Sequence, residues 1–194
     1  MLIVRGTKKL RDRVKGPVAV GDVESTTVLG DWFATVLFWR PQVALLVNQR
    51  TFLPVFMEFA PAATFLHRVP AAIESVLRAH GVNERLVASE VGEMRDIRVA
   101  PTNDRSIVGV MNEFAFHGEF HWKDGLHDFE ALSVRMAGMP LGLLRQRNGF
   151  PDRELAAVLG SDSSTARVIA FRGIVLTRLP RLHLRQRGGE ACSN

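Results

Sequence analysis

Glu113, His117 and His121 stand four residues apart in turn, and these residue types at that spacing share one face of a helix and can hold zinc. Eight residues of helix rise about 12 Å, whereas zinc–ligand bonds are about 2.0–2.2 Å, so one ion cannot take all three. No HExxH and no second Cys/His cluster completes a site around any two of them, and no metal is expected. His67, His80, His127 and His183 are scattered and read as surface or packing residues. Nucleophilic catalysis finds no better footing. Cys192 lies close to the C-terminal end, where nothing positions a base, and Ser25, Ser106 and Ser133 lack the Gly-x-Ser-x-Gly of a nucleophile elbow. There is no Walker loop and no Gly-x-Gly-x-x-Gly, so no cofactor is called for. Asp31, Glu58, Glu93 and Glu113 are the carboxylates that acid–base chemistry would use, if the fold brings them together.

Recognition chemistry is better represented, on one long helix expected from about Arg105 to His121. At about 100° per residue, Ile107, Val110, Met111, Phe114 and Ala115 fall on one broad apolar face. Opposite them, Arg105, Gly109, Asn112, Phe116 and Phe120 gather in a narrow stripe, with Asn103 just ahead of the helix. A mid-helix glycine costs about 1 kcal/mol relative to alanine, which suggests that another group approaches closely at Gly109. As a binding site, the stripe would offer Arg105 to a phosphate or carboxylate, Asn112 for orientation and two phenylalanine rings for apolar area. As packing, the helix would be sandwiched, with Arg105 and Asn112 satisfying buried backbone groups. Packing is the favoured expectation, because helices at the centre of α+β domains are often covered on both sides.

These residues need a scaffold, and the chain supplies its elements in a readable order. Leu2–Val4 reads as a strand, and Thr7 as N-cap of a basic helix from Lys8 to Val14. Residues 33–39, 43–47 and 52–59 are rich in β-branched and aromatic types and are separated by hairpin-length loops, which predicts an antiparallel meander. Their near-continuous apolarity predicts cover on both faces, and Pro54 places the third strand at an edge or bulge. Pro61 opens a helical region that Pro70 restarts, running to His80. Asn83 caps a helix from Glu84 to about Met94, and Ile97–Ala100 is a short strand. Helices from about Leu126 to Ala137 and from Asp152 to Leu159 follow, the last stopped by Gly160. The expected class is α+β: a meander at about 33–59 with short flanking strands, covered by helices.

Length fits one domain at 1–160 and a basic extension at 161–194. The net charge of +5 divides unevenly between them. Six arginines (Arg167, Arg172, Arg178, Arg181, Arg185 and Arg187) against Asp162 and Glu190 give the extension +4, which leaves +1 for the rest. A nearly balanced body argues against a domain-wide electrostatic grip on nucleic acid, so that partner is expected only through the tail arginines. No apolar run approaches the length of a membrane span, and the lone cysteine permits no internal disulfide. A cytoplasmic protein without a membrane partner is expected.

Several segments, taken in order, carry a resemblance. They are Gly6-Thr7-Lys8-Lys9-Leu10, Leu29-Gly30-Asp31-Trp32, Val47-Asn48-Gln49-Arg50-Thr51, the run from Asn103 to Phe114, and Met139-Pro140-Leu141-Gly142. Over residues 1–159 the chain resembles a bacterial family, the domain of unknown function numbered 6933. Its most specific part is the Asn-x-Arg-Ser…Met-Asn-[Asp/Glu]-Phe run, which has Glu113 here where Asp is usual. The resemblance implies an intact bacterial domain and assigns no activity, cofactor or catalytic residue. The expected function is therefore binding: an accessory module presenting the Arg/Asn/Phe helix face to a protein partner or a small anionic ligand. An enzyme using a cleft near Asn103, Arg105 and Asn112 is the alternative, with nucleic-acid association through the tail behind it.

Overall fold

A computed structural model describes residues 1–159 apart from Asp22; Gly160 and the basic extension, with the tail arginines and Cys192, lie outside the described residues. Five strands form one sheet: β1 (Leu2–Gly6), β2 (Trp32–Leu37), β3 (Val43–Asn48), β4 (Pro54–Glu58) and β5 (Ile97–Pro101), in the order β4-β3-β2-β1-β5. The meander stands, since β2 and β3 pair antiparallel, as do β3 and β4. The flanking strands correct the rest of the expectation. β1 runs parallel to both β2 and β5, so the sheet is mixed. Parallel neighbours require a long crossover. One is made by the short helix α1 (Lys8–Arg11) and the loop to residue 31, the other by α2 (Phe65–Ala79) and α3 (Glu84–Glu93).

Alternation along the strands splits the core in two. Trp32, Ala34 and Val36 turn to one face, where Leu2, Val4, Leu46 and Val55 meet Phe65, Val69, Ile73 and Leu77 of α2. Phe33, Leu37, Val43, Leu45 and Phe56 turn to the other, against α4 (Arg105–Lys123) and α5 (Phe129–Ala137). Strands covered on both sides gain from being apolar along nearly their whole length, as β2 and β3 are, with Thr35 and Asn48 the exceptions. As Pro54 predicts, β4 is an edge. Its exposed side is covered by α5: the Phe56 amide donates to Ser133 Oγ at 2.8 Å, and that hydroxyl donates to the Phe129 carbonyl at 2.7 Å.

Three local readings need correction. Helix α1 ends at Arg11, short of Val14, and Thr7 makes no side-chain cap bond; its hydroxyl lies 2.9 Å from that of Thr35. Pro70 does not restart a helix, because α2 already begins at Phe65, after a 3-10 turn at Ala62–Thr64, and runs through it. Five buried apolar residues on one side of α2 outweigh the single backbone bond that proline forgoes. Helix α5 begins at Phe129, where the Asp128 carboxylate accepts the Glu130 and Ala131 amides. A last helix, α6, spans Pro151–Leu159.

Candidate functional site

Helix α4 is well specified at both ends. Asp104 Oδ1 accepts the Ser106 amide at 2.7 Å, satisfying a first-turn donor, and Lys123 places positive charge in the last turn. Ile107, Val110, Met111, Phe114, Gly118 and Trp122 are buried against the sheet. The stripe lies directly opposite. Asn103, Arg105, Gly109, Asn112, Phe116 and Phe120 are all exposed, and the two phenylalanines retain 73% and 68% of their surface. This overturns the packing expectation. One face of α4 suffices for the core, because β2 and β3 lie on one side of it, and among the described residues the other face stays exposed. Among the described residues neither Arg105 nor Asn112 has a side-chain hydrogen bond or ion pair.

The inference from Gly109 is also corrected. A Cβ there would meet nothing within 4 Å. The close approach occurs nine residues later, at Gly118, where a Cβ would stand 3.0 Å from the Phe56 ring and 3.1 Å from Trp39. That ring edge belongs to an aromatic array. Trp39 stacks on Phe56 at 5.8 Å and leans on Trp122 at 5.9 Å, and Trp122 stacks on Phe129 at 4.9 Å. The signal was present in the sequence, since Gly118 falls on the same apolar arc as Met111 and Phe114.

The candidate carboxylates do not converge. Asp31 is buried and accepts Arg5 Nε at 2.5 Å, together with the amide and hydroxyl of Ser25. Glu93 accepts the Thr26 hydroxyl at 2.7 Å beside the terminal ammonium of Met1, both of which hold its carboxyl below the usual range. Glu58 ends β4 opposite Val43, and Glu113 points outward from α4. Among the described residues no three of His, Cys, Asp and Glu stand close enough to hold a metal ion.

Much of what looked like motif is scaffolding at the end of the sheet where β1 begins. Asn48 donates to the Leu29 carbonyl while its Oδ1 accepts from Arg50 and Thr51. Arg50 reaches the Val28 carbonyl, and the buried Glu90 of α3 accepts the amides of Val28 and Leu29. Burial raises the Glu90 pKa, although those amides pull it the other way. Hence Leu29-Gly30-Asp31-Trp32 and Asn48–Thr51 are explained by the bonds they make to each other. The outward half of the run from Asn103 to Phe114 is not.

The basic helix expected from Lys8 carries exposed Lys8, Lys9 and Arg11, and what the sequence reading missed is the ring beside it: Phe38, 54% exposed, lies 4.8 Å from the Arg13 guanidinium and 5.6 Å from the Lys9 ammonium. Among the described residues there are also open hollows, two of which are placed by their lining. One, of about 410 Å³, lies between α2 and α5 around Glu74, Ser75, Arg78 and Glu130. The other, of about 560 Å³, lies around Leu66, Pro70, Val91 and Met94. Neither is lined by a stripe residue.

No helix among the described residues is long and apolar enough to cross a membrane. The sequence pattern of a family described as Domain of unknown function (DUF6933) matches residues 3–154. No curated protein and no solved structure matches the chain.

Proposed function

The chain belongs to the DUF6933 family, and we propose that it is a binding module that docks a partner protein on the outer face of α4. The observation carrying this reading is the pair of rings at Phe116 and Phe120, left in water on the line of the helix farthest from the core. Isolated exposed apolar residues are ordinary, but two aromatic rings one turn apart, beside an arginine and an asparagine that have no side-chain partner among the described residues, have the composition of an interface. The face is convex. Small ligands take concave sites that bury most of their surface, so a protein fits better than a small anion. The enzyme reading loses support for the same reason, because Asn103, Arg105 and Asn112 stand on an open ridge and Asp31 and Glu93 are committed elsewhere.

The test replaces Phe116 with a photo-crosslinking amino acid in the cell of origin, with the same substitution at Arg85, an exposed residue of α3, as control. A discrete adduct is expected at 116 and not at 85, and it should disappear in a Phe120→Ala background. Phe116→Ala with Phe120→Ala should leave unfolding free energy within about 0.5 kcal/mol per site, as at other exposed positions. Equal adduct yields at 116 and 85 would remove the proposal.

A further inference from the structure

Resting on that docking reading, we infer that the occupant of the α4 ridge is a second copy of this chain, with the two α4 helices packed antiparallel about a twofold axis between Asn112 and Glu113. The ridge is complementary to itself about that point. An antiparallel pair centred there sets Gly109 against Phe116 of the other copy, Arg105 against Phe120, and the two Asn112 residues beside each other. Each match has a physical content. Nothing lies within 4 Å of a Cβ built on Gly109, so the helix surface there is an open notch, and an exposed ring stands where the other copy would fill it. A guanidinium over a phenylalanine face is attracted by the ring quadrupole. Two asparagine side chains across an axis can each donate and accept.

Charge agrees with the same register at its two ends, while the two exposed Glu113 carboxylates flank the axis on the edge of the ridge that stays open to water. Glu119, on the flank of the ridge that carries Asn112, comes opposite Arg105 of the other copy, and Lys123, its present partner at 2.7 Å, lies one turn further on. Parallel packing would instead set Arg105 against Arg105 and leave the Gly109 notch facing its own copy. Antiparallel helices also oppose their dipoles favourably. Closed twofold pairing is the commonest way for one surface to satisfy itself. A single helix face offers less than the about 800 Å² per partner of a standard interface, so the pair is a reversible one.

Sedimentation over a concentration series should show monomer and dimer in exchange. Arg105→Glu and Glu119→Arg should each weaken dimerisation about tenfold or more, and the double swap should recover most of the loss. Geometry is read by oxidation in a Cys192→Ser background. Asn112→Cys places two thiols beside the axis, with the residues only about 1.5 Å apart along the helices, and should form a disulfide dimer. Arg105→Cys separates them by about 22 Å along the helices and should not. A chain that stays monomeric at all concentrations, a swap that fails to recover, or equal crosslinking at 105 and 112 would overturn the twofold pair. In any of these cases a heterologous adduct at residue 116 would still stand, so the docking reading fails or survives separately.

Discussion

Two glycines in one helix make opposite predictions for the same chemical change. Gly109 and Gly118 both lie inside α4, more than a turn from either end, so replacing either with alanine gains the same helix preference, about 1 kcal/mol. Their surroundings differ. Alanine at 109 meets nothing within 4 Å, and Gly109→Ala should stabilise by about 0.5–1 kcal/mol. Alanine at 118 meets two ring atoms of Phe56 and one of Trp39 at 3.0–3.1 Å. Those rings have little room to retreat, because Phe56 is buried under Trp39, which leans in turn on Trp122. Overpacking of this kind costs about 1–3 kcal/mol, which cancels or exceeds the helix gain. Helix preference drops out of the difference between the two variants, so the difference isolates the contact at 118 and should be about 1–3 kcal/mol in favour of Gly109→Ala. For a protein of this size that is a gap of about 2–12 °C between melting temperatures. Melting followed at dilute concentration, where α4 is unpaired, is the assay. Equal melting temperatures, or a more stable Gly118→Ala, would show that the aromatic array yields freely and that the argument from close approach is wrong.

Ser133→Ala removes the acceptor that the described residues provide for the buried Phe56 amide and should cost about 1–3 kcal/mol in urea unfolding; a loss under about 0.5 kcal/mol would mean the amide finds another partner. Two titratable groups, the half-buried His80 and the buried Glu90, should tilt the pH dependence of stability in opposite senses. His80 has its pKa lowered below the ordinary 6.5 by burial, against the pull of Asp152, so its contribution is complete above that pH and is lost as pH falls through the lowered value. Glu90 has its pKa raised above the ordinary 4.5, so its contribution is complete below that pH and declines as pH rises through the raised value. In urea titrations, His80→Gln should flatten the loss on the acid side and Glu90→Gln the decline on the alkaline side. A His80→Gln curve parallel to that of the unmodified chain across both windows would discount the burial of that ring.

What was legible in the sequence was whatever local chemistry decides. Residues 33–59 announced a meander through β-branched density and loop length, Asn83 through a good cap, and Pro54 through a donor it lacks. The parallel partners of β1 were not legible, because pairing between Leu2–Gly6 and Ile97–Pro101 spans ninety-odd residues and leaves no periodicity to read. For the candidate site, the helical wheel grouped Arg105, Gly109, Asn112, Phe116 and Phe120 as the structure does, and it erred on which side of them was covered. Periodicity ranks faces by polarity, and two phenylalanines on the outer line made an exposed ridge resemble a second buried face. Gly109 was read as a contact for lack of any reason for a glycine there, while the contact stood at Gly118 among residues already assigned to the core.

The cover over β4 has a consequence for the order in which the chain is made. Strand β4 is complete at Glu58, but the serine that takes its outer amide arrives only with α5, which ends at Ala137. The opposite side of the sheet waits too, since Val99 must appear before it can exchange hydrogen bonds with Pro17 and Ala19. A ribosome adding about 5–20 residues per second leaves the nascent meander with an open apolar border for about 4–16 s. During that interval the proline-free stretches Phe33 to Trp39 and Val43 to Val47 have the features that favour strand-to-strand aggregation: apolar, low in charge and incompletely shielded. Ser133 thus acts as a late seal, and a nascent chain released before it emerges would be left with that border open.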